Sequence, residues 1–184
     1  MRKIHRLLSS CRRGYFKYLY LCTLNHKIRK IRRKETIRVL FAVAESATWK
    51  NDSLYRAMLM HPGFTPLILV LPDEQKEESL KREGVDTCFD FFRNKGYTCS
   101  YPYENGKLIN IRKALNPDII FYQKPYTYYP ESFLYRRNLN ALFCYTNYAF
   151  HSLLADWANK NDFFQLVWQN YYENESAFTD LKRK

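Results

Sequence analysis

The sequence predicts an α/β domain, an open and mainly parallel sheet with helices on its faces, preceded by a basic amphipathic helix. Three observations predict it: short apolar runs too continuous to alternate, capped helical stretches between them, and a first segment that holds all of the net charge. The 184-residue chain has thirty Lys and Arg against eighteen Asp and Glu, a formal charge of +12. Residues 1–34 hold twelve of the basic residues and no acid, so residues 35–184 are formally neutral. The basicity belongs to an arm, which removes the high pI as an argument for nucleic-acid binding by the whole fold.

Within the arm Ile4, Leu7, Leu8, Cys11, Tyr15, Tyr18, Leu19 and Cys22 recur at helical spacing, which predicts one apolar stripe. Arg2, Lys3, Arg6, Arg12, Arg13 and Lys17 flank it, and Lys27, Arg29, Lys30, Arg32, Arg33 and Lys34 follow as a second cluster. Tyr15, Phe16, Tyr18 and Tyr20 supply rings suited to a headgroup boundary. The pattern predicts a helix lying on an anionic membrane surface, each basic residue contributing about 1 kcal/mol before salt screening. It does not predict a span, which needs about 20 consecutive apolar residues. Nor does it resemble a signal peptide, since no apolar core leads to a cleavage site. Two other readings stand beside this one: a solvated helix packed on its own domain or a basic tail, and a nucleic-acid arm. No RNP, helix-turn-helix or zinc-finger pattern supports the last, and nucleic acid is not an expected partner.

The body holds one domain's worth of chain. Its first strand is Thr36 to Ala44, TIRVLFAVA, a β-branched and aromatic run fit for a strand buried on both faces. Asp52 and Ser53 cap a helix to about Met60, ended by Pro62-Gly63, and Pro66 to Leu71 is the second strand. A charged stretch from Pro72 to about Lys81 precedes a helix over Asp86 to Asn94, with Gly96 as its C-terminal stop and Tyr97 to Tyr101 as a short strand. Leu108 to Leu115 is predicted helical, Asn116-Pro117-Asp118 stops it, and Ile119 to Gln123 and Ala141 to Tyr145 are further buried strands. Leu153 to about Tyr172 is predicted as a helical, aromatic tail. The predicted boundaries are thus 1–34, 35–152 and 153–184.

Five cysteines, at positions 11, 22, 88, 99 and 144, form no CxxC and no Cys/His ligand spacing. This favours reduced thiols in a cytosolic setting, with no metal and no cofactor expected.

Ligands of such sheets bind beyond the carboxyl ends of the strands. After the first strand come Glu45, Ser46, Trp49, Lys50 and Asp52; after the fourth, Gln123, Lys124 and Tyr126; after the last, Tyr145, Asn147 and His151. The loop after the first strand lacks glycine, which excludes the dinucleotide fingerprint, and no Walker A sequence is present. A carboxylate, hydroxyl, cation and indole there suit a polyol or sugar. Glu45 is a candidate base whose burial would raise its pKa, or else an acceptor for loop backbone. His151 is a candidate base or phosphate ligand, or a packed ring. Asp52 also reads as a helix cap, and Lys124 with Tyr126 as either an anion site or an ordered Pro-Tyr loop.

Ile37 to Leu59 (IRVLFAVAESATWKNDSLYRAML), the following PLILVLP, Phe89 to Tyr97 (FDFFRNKGY), Asn116 to Pro130 (NPDIIFYQKPYTYYP) and Leu142 to Phe150 (LFCYTNYAF) resemble the amino-terminal half of bacterial CDP-glycerol glycerophosphotransferase-like proteins of GT-B type. The resemblance covers about residues 37–170. It implies a Rossmann-like domain, the amino-terminal half of a GT-B fold, that receives the acceptor in the biosynthesis of teichoic acid, capsule or other surface polysaccharide. The family's Trp-His-Gly-Thr-Pro type segment is replaced here by Tyr145 to Phe150, with His151 near but outside the motif.

The sequence thereby predicts the acceptor-binding half of a membrane-peripheral glycosyltransferase or glycerophosphotransferase, cytoplasmic on the inner face of the cell membrane and inactive without a donor-binding domain. Its expected partners are an anionic membrane surface, a glycan or lipid-linked acceptor, and a separate donor-binding domain. The alternative is a non-catalytic, membrane-docked module that binds a glycan or protein.

Overall fold

The computed structural model describes residues 2–124, 128–146 and 163–171. Among the described residues six strands form one sheet, in the order Cys99–Ser100 (β3), Phe64–Val70 (β2), Ile37–Val43 (β1), Ile119–Tyr122 (β6), Leu142–Thr146 (β7) and Val167–Tyr171 (β8), and every neighbouring pair is parallel. Strand β1 (Ile37–Val43) is central, between β2 (Phe64–Val70) and β6 (Ile119–Tyr122). Beyond β2 lies β3 (Cys99–Ser100); beyond β6 lie β7 (Leu142–Thr146) and β8 (Val167–Tyr171). This is a doubly wound, Rossmann-like α/β sheet whose direction of winding reverses between β1 and β6.

The apolar strands need cover on both faces, and period-two alternation divides them between two cores. Leu40, Ala42, Leu69, Ile120, Tyr122 and Phe143 face one, which Phe133 and Phe163 complete. Val39, Phe41, Val43, Ile68, Val70 and Phe121 face the other, covered by Tyr55 of α2 (Asp52–Met60) and by Val85, Cys88 and Phe92 of α3 (Glu78–Asn94). Helix α3 ends in a Schellman motif. The Gly96 amide donates to the Arg93 carbonyl and the Tyr97 amide to the Phe92 carbonyl, with Gly96 at φ 78°.

Four local expectations are corrected. Helix α3 starts at Glu78, not at Asp86; its exposed first turns lack apolar periodicity and are held by Lys81, which pairs with Glu74 at 3.1 Å and Glu78 at 3.0 Å. The N-cap of α2 is Asn51, whose carbonyl accepts from the Tyr55 amide at 2.8 Å; Asp52 lies one residue inside and pairs with Arg56 at 3.0 Å. The helix predicted over Leu108 to Leu115 is a hairpin followed by one turn. Strands β4 (Tyr103–Glu104) and β5 (Lys107–Leu108) are joined through Asn105-Gly106 at φ 51° and 72°, and α4 is only Ile111–Ala114. Val167–Tyr171 is a strand of the sheet, not part of a helical tail. It pairs with β7, and its alternation sends Val167 to the first core and Trp168 to the second. Residues 153–162 of that predicted helix lie outside the described residues.

The basic arm does form a helix, α1 (Arg2–Arg32), and its second half is part of the domain. Lys17 Nζ donates to Gln165 Oε1 at 2.5 Å, just before β8. The Tyr20 ring stacks on Phe143 of β7 at 5.2 Å, and its hydroxyl accepts from the Phe143 amide at 3.3 Å. Lys34 pairs at 2.5 Å with Asp118, the residue before β6, and the chain then enters β1. Helix α1 therefore crosses the edge where β8, β7, β6 and β1 begin. Tyr20 joins the first core, Ile31 the second, and Leu24 packs against both.

Candidate functional site

In sheets of this kind the winding reversal is where a ligand crevice forms, which places the candidate crevice at the opposite edge, between the carboxyl ends of β1 and β6. Glu45 stands just past β1 and opens a single 3-10 turn, Ser46–Thr48. Gln123 and Lys124 stand just past β6. The two loops are tied together across the crevice. The Gln123 side-chain amide, only 3% exposed, donates to the Thr48 carbonyl at 3.1 Å. The Thr48 hydroxyl lies 2.9 Å from the Glu45 carbonyl and 3.2 Å from Gln123 Oε1, one proton between two acceptors.

The charges follow the same pattern. Lys124 Nζ donates to Glu45 Oε2 at 2.9 Å, and Lys76 Nζ lies 4.0 Å from Glu45 Oε1. Lys76 arrives on the loop after β2, whose Glu74 amide donates to the Tyr128 carbonyl at 2.7 Å. The loops after β2 and β6 thus meet beside the loop after β1. The hydrogen bond from Lys124 is the main cause that holds the Glu45 carboxyl below the ordinary glutamate range; burial opposes it and loses. This reverses the expectation that burial would raise Glu45 toward a neutral-pH base. An ionised, low-pKa carboxylate accepts hydrogen bonds well and abstracts protons poorly.

Several predicted contributors have other places. The Trp49 ring does not face the crevice as a stacking platform. It is packed edge-on among Phe41 (5.5 Å), Phe92 (5.2 Å), Tyr97 (6.0 Å) and Tyr55 (6.4 Å), because an indole beside a buried β1 gains most from joining the second core. Tyr145 is buried against Phe163 at 5.8 Å and Phe164 at 5.1 Å. Ser46 is half-buried in the 3-10 turn above Cys88. Burial pushes the Cys88 thiol up to about 12, against an opposing Ser46 backbone hydrogen bond, so it is no nucleophile at neutral pH. Lys50 is exposed beside the crevice, and Asp52 is committed to Arg56. Tyr126, Asn147 and His151 lie outside the described residues.

Of the arm's basic residues, Lys17, Lys27 and Lys34 are turned inward. Lys27 sits 3.8 Å over the Tyr20 ring, and burial lowers its pKa to about 8. Arg29, Lys30, Arg32 and Arg33 are exposed. The side chains of Arg2, Lys3, Arg6, Arg12 and Arg13 lie outside the described ones. Among the described residues no helix is long and apolar enough to cross a membrane, and no group of three or more His, Cys, Asp or Glu could hold a metal ion.

Sequence reasoning missed Lys76 and Thr48. Lys76 lies in a charged stretch that reads as solvated, yet it follows a buried strand, and the strand-end rule applied to β2 would have found it. Thr48 lies in the loop after β1 to which the same rule points, but its pairing with Gln123 comes from the register between two loops distant in sequence.

Protein-family models, curated proteins and solved structures were compared with this chain, and none matches. The geometry of the crevice and the residues that line it therefore carry the functional reading.

Proposed function

We propose that the chain is the acceptor-binding half of a membrane-peripheral glycosyltransferase or glycerophosphotransferase of cell-surface polysaccharide assembly. The observation that carries this reading is the Glu45–Lys124 pair with Lys76, set at the winding reversal of a Rossmann-like sheet. An ionised carboxylate offers acceptor sites to polyol hydroxyls, and two ammonium groups offer charge to a phosphate. Gln123 and Thr48 fix the loops that hold them, so the groups are in place before a ligand arrives. Glu45 then orients an acceptor hydroxyl, and proton removal falls to another group.

A second reading is a binding module with no chemistry of its own. The depressed Glu45 pKa favours it, since a carboxylate that Lys124 holds ionised accepts hydrogen bonds and abstracts protons poorly.

Calorimetric titration of the full chain tests the first reading. Glycerol-phosphate or sugar oligomers should bind, and Lys124→Met should weaken them about tenfold to a hundredfold, as loss of a charge-assisted hydrogen bond does. Binding of CDP-glycerol or nucleotide sugars with no binding of oligomers would overturn it. Oligomer binding without turnover, when CDP-glycerol or a nucleotide sugar and a donor-binding domain are supplied, would favour the module.

A further inference from the structure

We infer that α1 docks the chain on an anionic lipid surface through the face it turns away from the sheet, so that the crevice opens away from the bilayer and takes the far end of an extended acceptor. The docking rests on the membrane-peripheral part of the reading above and gives it a face and a direction; the last clause rests on its acceptor-binding part.

Helix α1 has two faces with different uses. Tyr20, Leu24, Ile28 and Ile31 recur every three or four residues and are packed against the domain, so that face is already occupied. About half a turn away, Tyr18 is 69% and Leu19 43% exposed, and exposed Arg29 and Lys30 follow on the same side about three turns further on, with exposed Arg33 just past the helix end. Rings and an aliphatic side chain beside a row of cations, with no acid anywhere in the helix, complement a surface of anionic headgroups over acyl chains.

The fold gives that docking a direction. All six strands are parallel, so the edge that α1 covers and the edge that forms the crevice are opposite. The seven residues of β1 separate them by about 20 Å, and the helix adds about 10 Å. At the crevice edge the exposed acids Glu74, Glu77 and Glu78 stand among Lys76 and Lys81, so that stretch offers no run of unopposed cations to the surface that attracts α1. A docked chain therefore holds Glu45 and Lys124 about 30 Å above the headgroups. A headgroup-proximal hydroxyl cannot reach them. The end of a chain several sugar or polyol-phosphate units long can.

Flotation of the full chain with phosphatidylglycerol–phosphatidylcholine vesicles, and with phosphatidylcholine alone, tests the docking without any acceptor present. Flotation should need the anionic lipid, and Arg29→Gln with Lys30→Gln and Arg33→Gln should lower vesicle affinity about a hundredfold without changing the melting curve. Lysine acetylation read by mass spectrometry reports the direction: on vesicles Lys30 should be protected and Lys76 modified as in solution. Flotation that survives the triple substitution, protection of Lys76, or binding to RNA in preference to vesicles would overturn the inference. Failure here leaves the crevice reading standing, whereas failure of the oligomer titration removes only the extended acceptor.

Discussion

The two edges of the sheet are closed by different kinds of interaction. At the strand-start edge an apolar helix face is packed on both cores, with Tyr20 and Ile31 buried and one ion pair, Lys34 to Asp118, anchoring the end. At the strand-end edge Trp49 and Tyr129 anchor their loops in the cores, and among the described residues the loops are tied to one another by polar links: Gln123 to Thr48, Lys124 to Glu45, and the Glu74 amide to Tyr128. Burial of large side chains is non-directional and costly to undo, whereas a partly exposed pair such as Lys124 to Glu45 exchanges with water at little net cost. One edge is thereby suited to hold the fold and the other to admit a ligand, and a protein whose binding end is the cheaper one to rearrange need not unfold to use it.

The sharpest way to break this contrast is at Tyr20. It is 1% exposed, stacks on Phe143 and supplies the oxygen for the Phe143 amide. Tyr20→Ala should cost about 3–5 kcal/mol in urea denaturation, the range for removing a buried aromatic ring. Tyr18→Ala, two residues away and on the exposed face, should stay within about 0.5 kcal/mol. A cost for Tyr20→Ala as small as that for Tyr18→Ala would mean that α1 is an appendage, and the strand-start edge would then be as loosely held as the crevice.

A smaller effect is expected at the crevice. The Glu45–Lys124 pair is partly exposed, 36% and 17%, so Lys124→Met should cost about 1 kcal/mol at neutral pH after screening is allowed for. The Glu45 pKa is lowered in the folded state, so this contribution is complete above the ordinary value of 4.5 and is lost as pH falls through the folded value. Denaturation of wild type and Lys124→Met as a function of pH should therefore converge in acid. A difference that persists undiminished in acid would show that packing of the lysine stem, rather than the charge pair, ties the loops.

The two edges were also unequally legible in the sequence. TIRVLFAVA and PLILVL admit little besides buried strands, and the charge-free apolar runs over β6 and β7 place the remainder of the sheet's centre. The carboxyl-end rule then pointed to Glu45, Gln123 and Lys124, which the fold brings together. It could not show that Lys124 would hold Glu45 ionised, since the two are 79 residues apart and pKa follows from contact. In the arm the most regular apolar stripe, through Tyr15, Tyr18, Leu19 and Cys22, is exposed in the fold, while Tyr20, Leu24, Ile28 and Ile31 make the packed face. Two amphipathic faces coexist on one helix there, and periodicity alone does not say which one the domain uses. The Asn105-Gly106 hairpin was legible from its turn residues; the helical reading of Leu108 to Leu115 masked it.

The smallest effect is expected at Lys27, where a cation has been carried onto the packed face of α1. Burial lowers its pKa from 10.5 to about 8, and the Tyr20 ring beneath it returns part of the lost hydration. The unfolded chain therefore holds this proton more tightly than the folded one. Between about pH 8 and 10.5 the unfolded state binds more protons, so this group makes stability rise with pH across that window, and below it the full cost of the buried charge is present. Because the residue is half-exposed, that cost is about 1 kcal/mol or less. Lys27→Met should accordingly raise the melting temperature by about 2–4 °C at neutral pH, and the gain should shrink as the wild type is titrated toward pH 10.5. If Lys27→Met instead lowers the melting temperature, the ammonium–ring contact outweighs desolvation, and the strand-start edge depends on a charge as the crevice does.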